Sequence, residues 1–196
     1  MHLNTSAVAA FFDGRAEHWD LHSAPKEAVI NTILDSAGVS PGVSVLDIGC
    51  GTGVLFPFYL SRGVSHVTGV DLSPGMIQRA KEKFGTVPRV SLFCADASNV
   101  SFAPHDVCVV YNALPHFQSA QALIEALSKA LVPGGRLTIA HGDSRQTINA
   151  RHNSHASDVS HNLMPAVELT ELFEPLFEVD AVHDAEDYYL VSGVLK

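Results

Sequence analysis

Val45-Leu46-Asp47-Ile48-Gly49-Cys50-Gly51-Thr52-Gly53 is an apolar strand that runs straight into a glycine-rich turn. Val43, Val45, Leu46 and Ile48 form a short β-rich run, which suits a strand buried on both faces in the middle of a parallel sheet. Glycine then recurs at positions 49, 51 and 53, and a residue without Cβ tolerates positive φ and lets a ligand approach the backbone closely. Residues 54–62 read as a helix whose first amides point at the same spot. Ligands of open α/β sheets bind where strands end at their carboxyl edge, so this stretch predicts a nucleotide-like ligand.

Spacing and one carboxylate narrow the ligand. A dinucleotide fingerprint, G-x-G-x-x-G, cradles a pyrophosphate, and a nicotinamide oxidoreductase would carry it. Here the pattern is G-x-G-x-G, and Asp47 precedes it by two residues. That negative charge repels a pyrophosphate and favours a cationic ligand. Asp47 to Gly53 resembles motif I of the class I S-adenosylmethionine-dependent methyltransferases. The resemblance implies a Rossmann-like α/β fold: a seven-stranded, mostly parallel sheet with a reversed last strand and helices on both faces. It also implies S-adenosyl-L-methionine as cofactor and methyl transfer to a small molecule. In that family the acid corresponding to Asp47 lies beside the methionine portion, which packs on the turn of Gly49, Cys50, Gly51 and Gly53. The alternative for the turn is a glycine-rich βα connection without a ligand.

The chain continues in βαβ alternation. Strands are expected over 65–70, 89–94, 106–111 and 136–140, with helices over 74–84 and 118–131, the latter closed by Pro133-Gly134-Gly135. Asp71 ends the second strand, eighteen residues after Gly53, where a carboxylate can accept hydrogen bonds from two ribose hydroxyls. Capping of the next helix is the competing role for Asp71. By resemblance, Met76 flanks the adenine, Leu72 is a further cofactor contact, and Asp96 with the Ala97 amide binds the exocyclic amine. The fourth strand exits through Tyr111-Asn112-Ala113-Leu114-Pro115-His116, which corresponds to the family's motif IV, facing the transferred methyl group. Asn112 is a contact to cofactor or substrate there. A neutral imidazole at His116 can accept an acceptor's proton near physiological pH, or it can simply shape the pocket. His141 leaves the fifth strand at the same edge and is the second catalytic candidate.

A helix starting at Pro25 and stopping before Gly38 precedes the first strand, and the aromatic segment Phe11 to Asp20 precedes that. Residues 1–24 resemble the cap that closes over the cofactor in small-molecule methyltransferases, with Trp19 as a substrate contact. Equally, Phe11, Phe12 and Trp19 can staple a peripheral helix to the core. Residues 143–165 are polar and histidine-rich, where the superfamily inserts a lid or substrate-recognition segment. Arg145, Asn149 and His152 are spaced by four and three, which aligns them on one helical face as substrate contacts. Arg145 and Arg151 would suit an anion clamp. His152 and His155 with His116 or His141 would suit a metal, although no motif of a known metal class is present, and no metal is expected. A solvated loop is the third reading. The tail reads as a helix over 167–176 and two strands, 177–182 and 188–195, that pair antiparallel for want of a crossover.

Composition sets the limits. With 196 residues, 46% of them hydrophobic, the chain can bury a core and reads as one domain over 1–196. A net charge of −9 argues against nucleic acid as partner, because a polyanion calls for a basic surface. No apolar run of about 18 residues and no basic leader at Met1 to Ala10 is present, so no membrane association and a cytoplasmic location are expected. Cys50, Cys94 and Cys108 show no C-x-x-C spacing and read as buried thiols. The lack of cysteine beyond 108 counts against the metalloid acceptors used elsewhere in the superfamily. Two functions compete: an enzyme that methylates a small molecule, and a protein that binds the cofactor or a partner without turnover.

Overall fold

A computed structural model describes residues 3–22 and 26–196 of the chain. Pro25, expected to open a helix, and the two ends of the 1–24 cap lie outside the described residues. In chain order, α1 (Thr5–Asp13), a 3-10 turn (Ala16–His18), α2 (Trp19–His22) and α3 (Glu27–Ser36) precede the sheet. The alternating part follows: β1 (Ser44–Ile48), α4 (Phe56–Ser61), β2 (His66–Asp71), α5 (Pro74–Phe84), β3 (Val90–Cys94) and β4 (His105–Tyr111). A second 3-10 turn (Leu114–His116), α6 (Ala120–Ser128) and β5 (Leu131–His141) come next. Then α7 (Arg145–His155), α8 (Ala166–Phe173), β6 (Phe177–Asp184) and β7 (Tyr189–Leu195) complete the chain.

The seven strands form one sheet in the order β3-β2-β1-β4-β5-β7-β6. β7 alone runs against its neighbours, antiparallel to both β5 and β6, as the missing crossover requires. Because β1 lies between β2 and β4, the winding reverses there, and a crevice opens at the carboxyl end of β1. Alternate residues of the central strands feed two cores. Leu46, Ile48, Cys108 and Val110 pack with Leu123 of α6 and Leu169 of α8. Val45, Val107 and Val109 pack with Ile33 of α3 and Phe56 and Tyr59 of α4. Helices therefore cover both faces, which is why the strands are apolar throughout.

Three details differ from expectation. α4 begins at Phe56 rather than at 54, because the turn is still closing: the Cys50 carbonyl accepts from the Gly53 amide at 2.9 Å and the Gly53 carbonyl from the Phe56 amide at 3.1 Å. α6 stops at Ser128, and Pro133-Gly134-Gly135 lies inside β5 instead of closing the helix. Leu131 already pairs with His105, and the proline and glycines occupy the irregular stretch before Arg136 pairs with Val107. Finally, Cys94 is exposed while Cys50 and Cys108 are buried, since Cys94 sits at the end of the edge strand β3.

Candidate functional site

Gly49, Gly51 and Gly53 all adopt left-handed φ, at 69°, 55° and 83°. A Cβ on Gly49 would stand 2.5 Å from the Ala113 Cβ, and one on Gly53 2.9 Å from the Phe84 ring, so both positions require glycine. Gly51 is different: the nearest atom to its added Cβ is Trp19 Nε1 at 3.9 Å, so the turn faces open space below the indole. Asp47 lies beneath, 2% exposed. Its Oδ2 is buried beside the Tyr59 hydroxyl, whose hydrogen-bonding pull on the carboxyl is the one lowering influence on it. Burial, then repulsion from Asp71, pushes its carboxyl up to about 8.

Asp71 holds the turn in shape. Its Oδ2 accepts from the Gly51 amide at 2.8 Å and its Oδ1 from the Ser73 amide at 2.9 Å. Burial raises its pKa, those amides pull it back, and Asp13 adds to the rise. Ser73, not Asp71, caps α5, accepting from the Met76 amide at 3.0 Å, with Pro74 at the first helical position. Met76 is buried on the inner face of α5, and Leu72 packs under α1 with Phe11 and Phe12. Asp96 closes its own turn, accepting from the Ser98 amide at 3.0 Å and from Asn99 Nδ2 at 2.7 Å, and Ala97 is buried behind it. Asn112 has the one positive φ of a non-glycine among the described residues, 55°, and its Oδ1 accepts from the Gly142 amide at 2.9 Å, tying the ends of β4 and β5 together.

The amino-terminal segment is fastened over this crevice by residues that nothing in the linear sequence pairs. Asp13 Oδ1 accepts from Ser73 Oγ at 2.5 Å and from the Gly75 amide at 2.8 Å. Asp20 accepts from Thr52 Oγ1 at 2.5 Å and meets Lys83 at 2.8 Å. These partners lie 32 to 63 residues away in sequence, and only the fold brings them together. Trp19 packs edge-on against Phe12 at 5.6 Å between centroids, and Phe12 against His116 at 4.8 Å. An aromatic wall thus runs from the glycine turn to the histidines.

His116 and His152 lie 5.1 Å apart, ring to ring. The Val159 carbonyl, 2.9 Å from His116 Nδ1, can only accept, so Nδ1 carries the hydrogen and Nε2 is left with its lone pair. Burial pushes His116 down to about 4. His141 is 1% exposed with both ring nitrogens unpartnered; burial first, then His152 and His116, pushes it to about 3. His152 has an unpartnered Nδ1 and is also lowered by burial. The structure therefore gathers His116, His141 and His152 into one neutral cluster.

The remaining residues expected to contact substrate are engaged elsewhere. Residues 145–155 form a helix, not a solvated loop. Arg145 Nε donates to Asp184 Oδ2 at 3.0 Å, Arg151 pairs with Asp143 at 2.8 Å, and Lys26 joins the same Asp143, so both arginines of the expected anion clamp already hold carboxylates. Asn149 exchanges two hydrogen bonds with the Leu163 backbone, at 3.1 and 2.6 Å. His155 is exposed, and among the described residues no group of three or more His, Cys, Asp or Glu is arranged to hold a metal ion. No described helix is long and apolar enough to cross a membrane.

Comparison with known proteins agrees with this geometry. The family described as a methyltransferase domain matches residues 45–135. Malonyl-[acyl-carrier protein] O-methyltransferase of Priestia megaterium is 30% identical over 140 residues, covering 69% of this chain and 51% of that protein. Demethylmenaquinone methyltransferase of Corynebacterium kroppenstedtii is 30% identical over 139 residues, covering 67% and 58%. The chain thus spans between half and three fifths of the length of these two relatives. Among solved structures, the N-methyltransferase NodS of Bradyrhizobium japonicum in complex with S-adenosyl-L-homocysteine superposes with a TM-score of 0.74 at 18% identity, covering 96% of this chain and 98% of that one; at this identity the likeness concerns the fold.

Proposed function

The chain belongs to the class I S-adenosylmethionine-dependent methyltransferase family, and we propose that it transfers a methyl group from that cofactor to a small-molecule acceptor. The carrying observation is the turn of three left-handed glycines at the carboxyl edge of β1, gripped at its middle amide by Asp71. These residues suit the cofactor: only Trp19 Nε1, at 3.9 Å, comes within reach of a Cβ on Gly51, and Asp47, with no cation beside it among the described residues, offers a buried acid to a cation. Gly49, Cys50, Gly51 and Gly53 then carry the methionine portion, Asp71 the ribose, and Leu72, Met76, Asp96 and Ala97 the adenine, with Asn112 at the mouth. When bound, the cofactor supplies an electrophilic methyl on a sulfonium.

The chain's own work is alignment, exclusion of water and a destination for the acceptor's proton. Phe12 and Trp19 shut the crevice from solvent. His116 offers Nε2 as a hydrogen-bond acceptor because Val159 holds its other nitrogen as the donor. With a pKa of about 4, His116 is a weak base, and it takes a proton only as methylation makes that proton strongly acidic. His141 and His152 face the same reactants, while Arg145 and Asn149 fix α7 in place. Calorimetry with S-adenosylhomocysteine and with NAD tests the cofactor: heat with the first alone is expected, and heat with NAD alone overturns the reading. Consumption of S-adenosylmethionine with mass detection of a methylated product separates an enzyme from a protein that binds the cofactor without turnover.

A further inference from the structure

β3 and β6 are the outer strands of the sheet, and the two edges are built differently. A bulge between Val179 and Ala181 interrupts the pairing of β6, and Glu178, Asp180 and Asp184 lie along it, devices that keep an edge from pairing with other chains. β3 has neither. Its pairing with β2 is unbroken from Val90 to Cys94, and that stretch contains no charge and no proline. The Arg89 carbonyl accepts from the Val67 amide at 2.8 Å and the Ala95 amide donates to the Asp71 carbonyl at 3.0 Å, so the odd-numbered residues bond to β2. Backbone direction alternates along a strand, which turns the amides and carbonyls of Leu92 and Cys94 outward, where neither amide has a partner among the described residues.

Side chains flank this open edge on both faces. Phe93 is 50% exposed on one. On the other, a depression of about 410 Å³ is lined by Lys81, Gly85, Val90 and Leu92. Charge marks the same place. Seven of the twelve Lys and Arg side chains pair with carboxylates among the described residues, whereas Lys81 pairs with none and Arg89, just before the strand, reaches the Val64 carbonyl instead.

We propose that the outer edge of β3 docks an extended segment of a partner protein, which adds a strand to the sheet, sets an apolar side chain into the depression beside Leu92 and brings a carboxylate to Lys81. In strand addition the main-chain pairing supplies affinity and the alternate side chains supply selectivity. A second copy of this chain fits less well. Two β3 strands paired antiparallel about Leu92 would bring Lys81 of each copy towards the same axis, with no acid in residues 90–94 to meet it. Such docking needs neither cofactor nor turnover.

The test uses the full chain labelled with ¹⁵N and two acetylated, amidated peptides, TETVTET and TKTVTKT, which read the same in either strand direction and place their valine and charged residues on one face. The acidic peptide is expected to slow exchange of the Leu92 and Cys94 amides, open in the free chain, more than that of Ser91 and Phe93, which already bond to β2. It should bind about fivefold or more tightly than the basic peptide, because attraction to Lys81 becomes repulsion, and Lys81→Glu should reverse the order. Leu92→Pro removes an outward amide, a change that an edge strand tolerates, and should abolish binding of both peptides; Lys81→Glu judges the proposal even where the proline variant does not fold. Equal affinity for the two peptides overturns the proposal, as does a failure of TETVTET to bind at about 1 mM or protection confined to amides outside β3. So does sedimentation of a wild-type dimer that Leu92→Pro turns into a monomer, which would give the edge to a second copy.

Discussion

Asp47 makes the fold's stability depend on pH in a direction unusual for an aspartate. Burial and the neighbouring Asp71 raise its carboxyl from an ordinary 3.8 to about 8, so the ligand-free protein holds it as the neutral acid at pH 7. A folded-state value above the unfolded one means a contribution that is complete below pH 4 and is lost as pH rises towards 8. Each unit in that window is worth about 1.4 kcal/mol, which comes to about 2 kcal/mol between pH 6 and pH 8 after allowing for saturation near the upper end. Asp71, also raised, acts in the same direction, and the depressed histidines act in the opposite one. Asp47→Asn separates them, because only the Asp47 slope disappears in the variant. Urea denaturation of both ligand-free proteins at pH 6 and pH 8 should show the stability of wild type relative to variant falling by about 2 kcal/mol over that interval. A cationic ligand at the turn should drive the proton off. Calorimetry of S-adenosylmethionine binding at pH 7, in buffers of different ionisation heat, should therefore report release of close to one proton, and none from the variant. Parallel pH profiles for the two proteins would refute the argument.

Below neutrality the histidines govern. His116 and His141 are depressed to about 4 and about 3, so their contribution is present above the ordinary value of 6.5 and is lost as pH falls; melting between pH 7 and pH 5 should drop less steeply in His141→Leu, and identical profiles would count against a buried neutral His141. Asp71→Asn loses a charged acceptor from the Gly51 amide and should weaken S-adenosylhomocysteine at least tenfold by calorimetry, an unchanged affinity ruling out its role. Gly49→Ala forces both a left-handed alanine and a clash with Ala113 and should cost about 2–4 kcal/mol in denaturant. Gly42→Ala, with φ of 87° but nothing within 4 Å of its Cβ, should cost only about 1–2 kcal/mol; equal losses would contradict the packing argument. Asp13→Ala removes two hydrogen bonds from the cap and should speed amide exchange across residues 5–22 without touching β1, whereas uniform exchange would mean the latch is inert.

Periodicity carries the fold because hydrophobic burial acts locally on the pattern. The apolar run of β1, the alternating helices and the two final strands without a crossover all follow from it, and the sheet places Asp47, Asp71 and the three glycines at one edge. Element ends were less legible. Pro133-Gly134-Gly135 looks like a helix stop, yet pairing of Leu131 with His105 pulls it into β5, a contact no local rule contains. Cys94 looks buried by its strand, but its exposure depends on β3 having no outer neighbour. Sequence likewise marks Arg145 and Asn149 as polar residues at helical spacing, and Arg145 and Arg151 as a pair of cations, without saying what they hold. Their partners, Asp184, Asp143 and the Leu163 backbone, arrive from other elements, and those pairings turn an expected clamp into scaffold. The chain by itself therefore determines the cofactor turn, since glycine spacing and a single acid are local facts about one strand and its exit. Tertiary structure decides the opposite wall. His116, His141 and His152 come from the 3-10 turn after β4, the end of β5 and α7, and only their packing at one edge buries them as neutral rings and leaves His141 and His152 short of partners.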